Sequence, residues 1–240
     1  MWTLWGTSLM LVQPSDQRQV GNWAWGNGDH ISAAVGNHFS IVGQDLAPFQ
    51  WRLGIEGGVF MAFDTGGPLT YHLQTIDGTF AVPIDLQRDK WVIRAECRHD
   101  SAHFGDGIRL NDQKPPENAL DSLSYETLGL YLGYRGAWFQ PQAGCRLSTH
   151  QNGALCQLGG IITGQTQHST PYVAGTYRAA GGVLGGSNFF AQLGYQWSNH
   201  WTFRTGLQWA SGANDAGKLS HIEIHRLGIF LNWNAIGTRT

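Results

Sequence analysis

The sequence predicts an all-β fold: an antiparallel transmembrane β-barrel of about 12 strands with a non-barrel N-terminal segment. Apolar and polar side chains alternate along much of the chain, which is the pattern of strands with one apolar and one polar face. Charged residues make up only 13% of the 240 residues, while the chain holds 33 Gly and 11 Trp. Soluble domains carry about 25% charged residues, so this composition favours a barrel in lipid over a soluble sheet.

The beginning of the chain lacks long alternation. We therefore expect residues 1–36 to form a periplasmic or plug-like segment and residues 37–240 to form the barrel. No Lys or Arg precedes the first apolar stretch, so the start does not resemble a signal peptide. We expect the chain to begin near a mature N-terminus whose leader has been removed.

The strands are predicted from the alternation and from the residues between the alternating segments. Asn199-His200 predicts a tight turn at the periplasmic end, and residues 111–121 and 181–187 predict longer loops. Single-chain bacterial barrels have an even number of strands, so we expect twelve. The strongly alternating segments are 51–64, 76–84, 91–98, 126–135, 189–198, 201–210 and 226–233, and the weaker ones are 38–46, 137–149, 153–164 and 170–179.

Aromatic residues at both ends of a strand support the membrane assignment. Trp51 and Phe63 flank one predicted strand, and Trp201 and Trp209 flank another. Barrels in membranes carry aromatic side chains at both interfaces with water. The apolar face of each strand is therefore predicted to contact lipid, and the glycine-rich polar face to line the lumen.

The charged side chains are assigned to this inner face. Buried charges need partners, so we expect an Arg/Glu network that fills and closes the lumen. The alternative is a selectivity lining for small solutes in an open channel. The inward set comprises Arg52, Glu56, Arg94, Glu96, Arg98, Glu126, Arg135 and Arg204.

The net charge and the cysteines limit the function classes. A net charge of −2 provides no basic surface for phosphates, which argues against nucleic acid as a partner. We expect Cys97, Cys145 and Cys156 to be small apolar side chains. A disulfide between Cys145 and Cys156 would fit a hairpin in an oxidising compartment.

Chemistry is concentrated at the end of the strand that begins at Trp91. His99, Ser101 and His103 share the parity of the apolar side chains before them and so face lipid. One interpretation is a hydrolase site in which Ser101 is the nucleophile and His99 or His103 is the base. The spacing resembles the His-x-Ser pair of the outer-membrane lipid A deacylases, which act from the lipid-facing side.

Two other interpretations of this run stay open. His99 and His103 could bind a metal together with Asp100 or Asp106, or the run could be a strand end and turn whose polar side chains bond to one another. We expect the last of these arrangements, with neither a metal nor a cofactor.

Several segments together resemble one family, the outer-membrane proteins catalogued as domain of unknown function number 1207. Its central motif is roughly H-x-S-S-H-x-G-D-E followed by S-Y-E. Ala102 and Gly107 depart from that pattern. The resemblance implies an outer-membrane barrel and no established activity. The residues that carry it are Pro14, Asp16, Arg18, Phe63, Asp64, the run from Arg98 to Asp106 (with Asp100 and Gly105), and Leu123, Ser124, Tyr125 and Glu126.

The expected function is therefore a structural or interaction role in the bacterial outer membrane. Partners would be outer-membrane lipid and another envelope protein or copies of the chain itself. The alternatives are an esterase-type hydrolase of envelope lipid and a small-solute channel.

Overall fold

The computed structural model describes residues 22–26, 30–67, 70–105, 123–164, 169–182, 186–198, 202–213 and 223–234. Within these ranges the chain forms strands and no helix. No described segment is a helix long and apolar enough to cross a membrane. The strands are β1 (Asn22–Gly26), β2 (His30–Leu46), β3 (Phe49–Gly67), β4 (Thr70–Arg88), β5 (Trp91–Phe104), β6 (Leu123–Tyr134), β7 (Phe139–Ser148), β8 (Gly153–Thr163), β9 (Ser169–Gly182), β10 (Asn188–Ser198), β11 (Thr202–Ala213) and β12 (Glu223–Asn234).

Each strand pairs antiparallel with the next, and β1 also pairs with β12, so the sheet closes into a barrel. The predicted class, an antiparallel all-β fold of twelve strands, is confirmed. Closure gives each described strand a partner strand on both sides, and β1 closes the sheet through Asn22–Gly26, which pairs with β2 and with β12.

The predicted boundary of the barrel is wrong. β1 and much of β2 lie within residues 1–36, which we expected to lie outside the barrel. These strands are rich in small side chains, so their apolar–polar alternation is weak, yet closure of the sheet needs their backbone groups. Residues 1–21 of the expected N-terminal segment lie outside the described residues.

The outer face of the barrel is apolar and the inner face is polar. In β5 the exposed residues Trp91, Ile93 and Ala95 alternate with buried residues that include Arg94 and Glu96. The predicted alternation of this strand is confirmed. Large exposed apolar side chains continue around the barrel, for example on β6, β8 and β10.

Charged side chains on the inner face form a series of ion pairs in which acidic and basic residues alternate. Arg94 Nε donates to Asp85 Oδ1 at 2.7 Å, and Arg94 Nη1 donates to Glu56 Oε2 at 3.2 Å. Arg98 Nη1 lies 3.9 Å from Glu56 Oε1, and Arg98 Nε donates to Asp100 Oδ1 at 2.9 Å. We call these residues, with Arg146, the inner ion chain: Asp85, Arg94, Glu56, Arg98, Asp100 and Arg146.

Other residues predicted for the lumen take different places. Glu96 is buried and accepts a hydrogen bond from the Tyr131 hydroxyl at 3.2 Å. Arg52 pairs with Asp45 near the connection between β2 and β3. Arg204 donates to Gln196 Oε1 at 2.7 Å, on the opposite part of the sheet.

Two of the predicted lumen residues do not face the lumen. Arg135 follows the end of β6, is exposed, and donates to Gln87 Oε1 at 3.2 Å. Glu126 is exposed on the outer face. Its position is an even number of residues from Leu128 and Leu130, so it shares their face, and the inward assignment was wrong.

Two of the three cysteines are bonded, so the expectation of three separate apolar side chains is wrong. Cys145 and Cys156 form a disulfide. They are direct partners in the register of β7 and β8, which brings their side chains together. Cys97 is free and exposed on the outer face.

The two ends of the barrel differ in their connections. Ala47-Pro48 and Asp89-Lys90 make two-residue connections at one end, which we call the short-turn end. Residues 105–122 and 214–222 connect strands at the other end, which we call the long-loop end, and the two-residue connection 68–69 lies there as well. Asp89 has φ 54°, a left-handed conformation that aspartate tolerates in a tight turn.

Candidate active site on the outer face

The outer faces of β5 and β6 change from apolar to polar at the same level. In the register of these strands, Ile93 faces Leu132 and Cys97 faces Leu128. The next outward pairs are all polar. They are His99 with Glu126 and Ser101 with Ser124. Two neighbouring strands therefore bring four polar side chains together at one height of the barrel.

The His99 ring connects two residues of β6. Its Nδ1 atom lies 3.2 Å from Glu126 Oε1, and its Nε2 atom lies 3.3 Å from Ser124 Oγ. Ser124 and Glu126 are two residues apart on β6 and therefore share its outer face. We call Ser124, His99 and Glu126 the outer triad.

The hydrogen-bonding capacities of these groups fix the proton on a neutral His99 ring. An ionised carboxylate only accepts hydrogen bonds, so Nδ1 carries the proton and donates to Glu126. Nε2 then has a free lone pair and accepts from the Ser124 hydroxyl. This is the arrangement in which histidine acts as a general base toward a serine and an acid orients the ring.

The triad is accessible from outside the barrel. The side chain of His99 is 43% exposed and that of Glu126 is 51% exposed, and Ser124 is exposed as well. On β5, the strand that carries His99, the residues of the inner ion chain lie on the opposite face. A substrate would therefore approach along the outer surface and not through the lumen.

The height of the triad follows from its position on β5. Trp91 packs edge to face against Tyr134 at 5.0 Å between ring centroids, near the short-turn end. His99 lies eight residues further along β5. At about 3.3 Å per residue and a tilt of roughly 40°, it is displaced by about 20 Å along the barrel axis. The triad thus lies toward the long-loop end.

The other residues predicted for this site lie nearby. Ser101 is opposite Ser124 in the register, but its Oγ atom lies 3.0 Å from the position a Cβ would take on Gly78, toward β4. His103 is exposed on the same face, opposite Ile76. The structure therefore brings His99 to Ser124 and places Ser101 and His103 beside the triad.

The residues of the predicted metal site lie on two different faces of β5. His99 and His103 point outward, whereas Asp100 points inward and pairs with Arg98 and Arg146. The described part of the chain contains no cluster of three or more His, Cys, Asp or Glu arranged to hold a metal. Asp106 lies outside the described residues.

Two further motif residues, Tyr125 and Gly105, are buried. Tyr125 follows Ser124 and precedes Glu126 in the sequence. It is buried, and it pairs with Asp100 in the register of β5 and β6. Gly105 donates its backbone N–H to Gln74 at 2.8 Å, and a Cβ there would overlap the Leu73 carbonyl. The motif therefore needs glycine at this position because the backbone of β4 approaches it closely.

Sequence reasoning did not assign catalytic roles to Ser124 and Glu126. The signal that could have found them is parity, since both residues share the face of Leu128 and Leu130. His99 has the same outward parity on the adjacent strand. Only the strand register decides which serine lies beside the ring, and the sequence does not contain that register explicitly.

Comparisons with known proteins give a family match and several solved structures with some similarity, of which two are described below. The family model described as "Protein of unknown function (DUF1207)" matches residues 18–142. The crystal structure of the β-domain of the Bordetella autotransporter BrkA has a TM-score of 0.50 at 12% identity and covers 89% of this chain and 94% of that chain. The transport unit of the autotransporter AIDA-I from Escherichia coli has a TM-score of 0.39 at 12% identity, covering 95% and 94%. No curated protein matches the sequence.

Proposed function

The chain belongs to the DUF1207 family of proteins of unknown function, as its motifs predicted, and we propose that it is an outer-membrane barrel that hydrolyses acyl esters of membrane lipid. The observation that carries this proposal is the outer triad. Ser124, His99 and Glu126 form one continuous hydrogen-bonded series on the exposed face of the barrel. No lumen-facing residue of the inner ion chain has comparable access to a lipid.

The outer face supports a membrane location. Leu130, Leu158, Ile162 and Leu193 are among many large apolar side chains that project from the barrel. Soluble monomers rarely expose such a continuous apolar surface, because contact with water is unfavourable. Hydrocarbon removes this cost, and a closed barrel satisfies the backbone groups of every strand.

The connections orient the barrel. Outer-membrane barrels have short periplasmic turns and longer extracellular loops. The two longest connections, residues 105–122 and 214–222, therefore favour the extracellular side for their end, and the end with Ala47-Pro48 and Asp89-Lys90 is then periplasmic. The outer triad lies toward the other end, beyond the apolar pair Cys97 and Leu128. We propose that the triad lies at the boundary between acyl chains and headgroups in the outer leaflet, where lipid ester groups lie, because the outward pairs of β5 and β6 become polar at its level.

The triad supports a two-step hydrolysis. Ser124 Oγ attacks the carbonyl carbon of the ester while His99 Nε2 accepts the hydroxyl proton. The bond between the carbonyl carbon and the alcohol oxygen breaks, and His99 returns the proton to the departing lyso-lipid. Water then attacks the acyl-serine with His99 again as base, which releases a fatty acid and restores Ser124. Glu126 holds the ring and stabilises its charged form.

The first test uses wild-type protein in detergent micelles that contain either diacyl phospholipid or lipid A. We expect fatty-acid release in at least one arm, and the arm that reacts identifies the lipid source. A long-chain alkyl fluorophosphonate, which loses fluoride as the serine oxygen bonds to phosphorus, should block the reaction and modify the peptide that contains Ser124 and not the one that contains Ser101. If no fatty acid is released and the Ser124 peptide is not modified, the hydrolase proposal is contradicted. The barrel would then be expected to have a structural or interaction role.

A channel function receives less support from the structure. The inner ion chain spans β3 to β7 with direct ion pairs, and His38 Nδ1 lies 3.4 Å from Oε2 of its member Glu56. Charges that are paired with one another neutralise each other's field and occupy space in the lumen. We therefore propose a structural role for this network.

A further inference from the structure

The strand that carries His99 has two chemically different faces, and each belongs to a separate cluster. Arg98 and Asp100 flank His99 in the sequence and point inward, while His99 points outward. Arg98 Nε donates to both Asp100 oxygens, at 2.9 and 3.1 Å. A charged, hydrogen-bonded pair on the inner face therefore holds the part of β5 that carries His99.

A third strand joins this pair. Arg146 of β7 donates from Nη1 to Asp100 Oδ2 at 2.7 Å. β7 is not adjacent to β5, because β6 lies between them. The Arg146 side chain therefore crosses the inner face of β6, the strand that carries Ser124 and Glu126 on its outer face.

The inner face of β6 is shaped for this crossing. Gly129 is the direct register partner of Arg146. A Cβ on Gly129 would lie 2.8 Å from Tyr131 Cε2 and 3.1 Å from Glu96 Cγ. The absence of a side chain at Gly129 thus leaves room for the Tyr131 ring and the Glu96 side chain, which lie on the inner face beside the strand position of Arg146.

The backbone of β6 is also fixed next to the triad. Thr149, which follows β7, donates its backbone N–H to the Glu126 carbonyl at 3.0 Å and its hydroxyl to the same oxygen at 3.3 Å. With the contact between Arg146 and Asp100, β7 is bonded to β6 at Glu126 and to β5 at the residue after His99. Sliding of β5 against β6 would stretch these bonds.

We infer that Asp100, together with Arg146, is a positioning residue that sets the distance between His99 Nε2 and Ser124 Oγ from the inner side of the barrel. The inference rests on the proposed hydrolase function. The two strands of the triad share no covalent link near the site, and displacements of about 1 Å can cost on the order of 100-fold in rate. A buried charged pair is a stiff means of preventing such a displacement.

The test measures how fast the alkyl fluorophosphonate modifies Ser124 and what fraction of the protein is finally modified. The final fraction counts correctly folded sites, and the rate constant reports their geometry. Asp100→Asn should lower the rate constant by about tenfold or more while the final fraction stays that of wild type. In lipid hydrolysis it should lower kcat with KM unchanged. Asp100→Glu, which keeps the charge, should recover part of the rate.

Arg204→Gln is the matched control. Arg204 is an inward cation with a side-chain hydrogen bond, but it lies on β11, away from the triad. It should react at the wild-type rate. If Asp100→Asn does not fold, Arg146→Gln carries the test with the same expected loss of rate, because it keeps the contact between Arg98 and Asp100.

The outcomes separate this inference from the proposed function. A wild-type rate in Asp100→Asn or Arg146→Gln, or a lower final fraction with an unchanged rate, would overturn the positioning role alone. Failure of the fluorophosphonate to modify wild-type protein would instead contradict the hydrolase function itself.

Discussion

Replacing either Ser124 or His99 with alanine should lower lipid hydrolysis by at least about 1,000-fold. Residues of a serine triad act as one unit, and losing the serine or the histidine in comparable enzymes removes most of the catalysis. The double variant should therefore be no slower than either single variant. Glu126→Gln should lower kcat by roughly 100- to 10,000-fold, because an amide no longer stabilises the charged ring and can favour the wrong tautomer.

The measurement is fatty-acid release in micelles, with each variant first shown to be folded by its resistance to protease. Ser101→Ala and His103→Ala test the alternative nucleophile and base on the same outer face. We expect them to change kcat by less than about tenfold, well below the loss for a removed nucleophile. Retention of full activity by Ser124→Ala, or a complete loss of activity in Ser101→Ala, would contradict the assignment of Ser124 on β6 as the nucleophile.

Replacing Arg94 with alanine should destabilise the barrel by about 3–5 kcal/mol, the usual effect of removing one partner of a buried ion pair. The side chains of Arg94 and Asp85 are 2% and 1% exposed. Arg94 makes two hydrogen bonds to the Asp85 carboxylate, at 2.7 and 2.9 Å, and a third to Glu56. Its loss leaves the Asp85 charge buried without this partner.

The free energy of unfolding can be measured in lipid vesicles by urea titration, with the fluorescence of the Trp residues as the signal. Arg88→Ala is the control, because Arg88 lies at the exposed short-turn end beside Asp89. Exposed ion pairs contribute about 0–1 kcal/mol, so Arg88→Ala should unfold close to wild type. Equal stability of the two variants would contradict a structural role for the inner ion chain.

The strand pattern of this chain could be predicted wherever large apolar side chains alternate with charged or glycine residues. β5 is the clearest case, since Trp91, Ile93 and Cys97 face outward and Arg94 and Glu96 inward, as predicted. Burial on two chemically distinct faces imposes a period of two, and that period is visible in the sequence.

The first two strands could not be delimited in this way. β1 contains Gly and Ala beside its two Trp residues, and β2 contains Ala33, Ala34 and Gly36. Small side chains fit either face, so they carry little information on parity. What fixes these strands is closure with β12, which is a property of the whole sheet and not of the local sequence.

The candidate site that the geometry favours shares one residue with the site predicted from the sequence, but its other members differ. His99 belongs to both the predicted and the observed arrangement. Its partners come from β6, separated by residues 105–122 in the sequence. A pairing across such a connection depends on the register of β5 and β6, which places Ser124 and Glu126 on either side of the ring. Local spacing favoured Ser101 because it considers only one strand.

The central claim is that the outer face contacts hydrocarbon and that the triad lies at its edge. Cys97 offers a native probe, since it is free, exposed on the outer face and two residues before His99. A fluorophore attached to Cys97 in lipid vesicles can be tested with quenchers placed at known acyl-chain depths and with iodide in the water.

We expect strong quenching by lipids that carry the quencher in the part of the acyl chain near the headgroup, weaker quenching from the bilayer centre, and little quenching by iodide. Strong iodide quenching with no effect of the lipid quenchers would show that this face contacts water, and would contradict both the membrane-spanning barrel and a lipid substrate at Ser124.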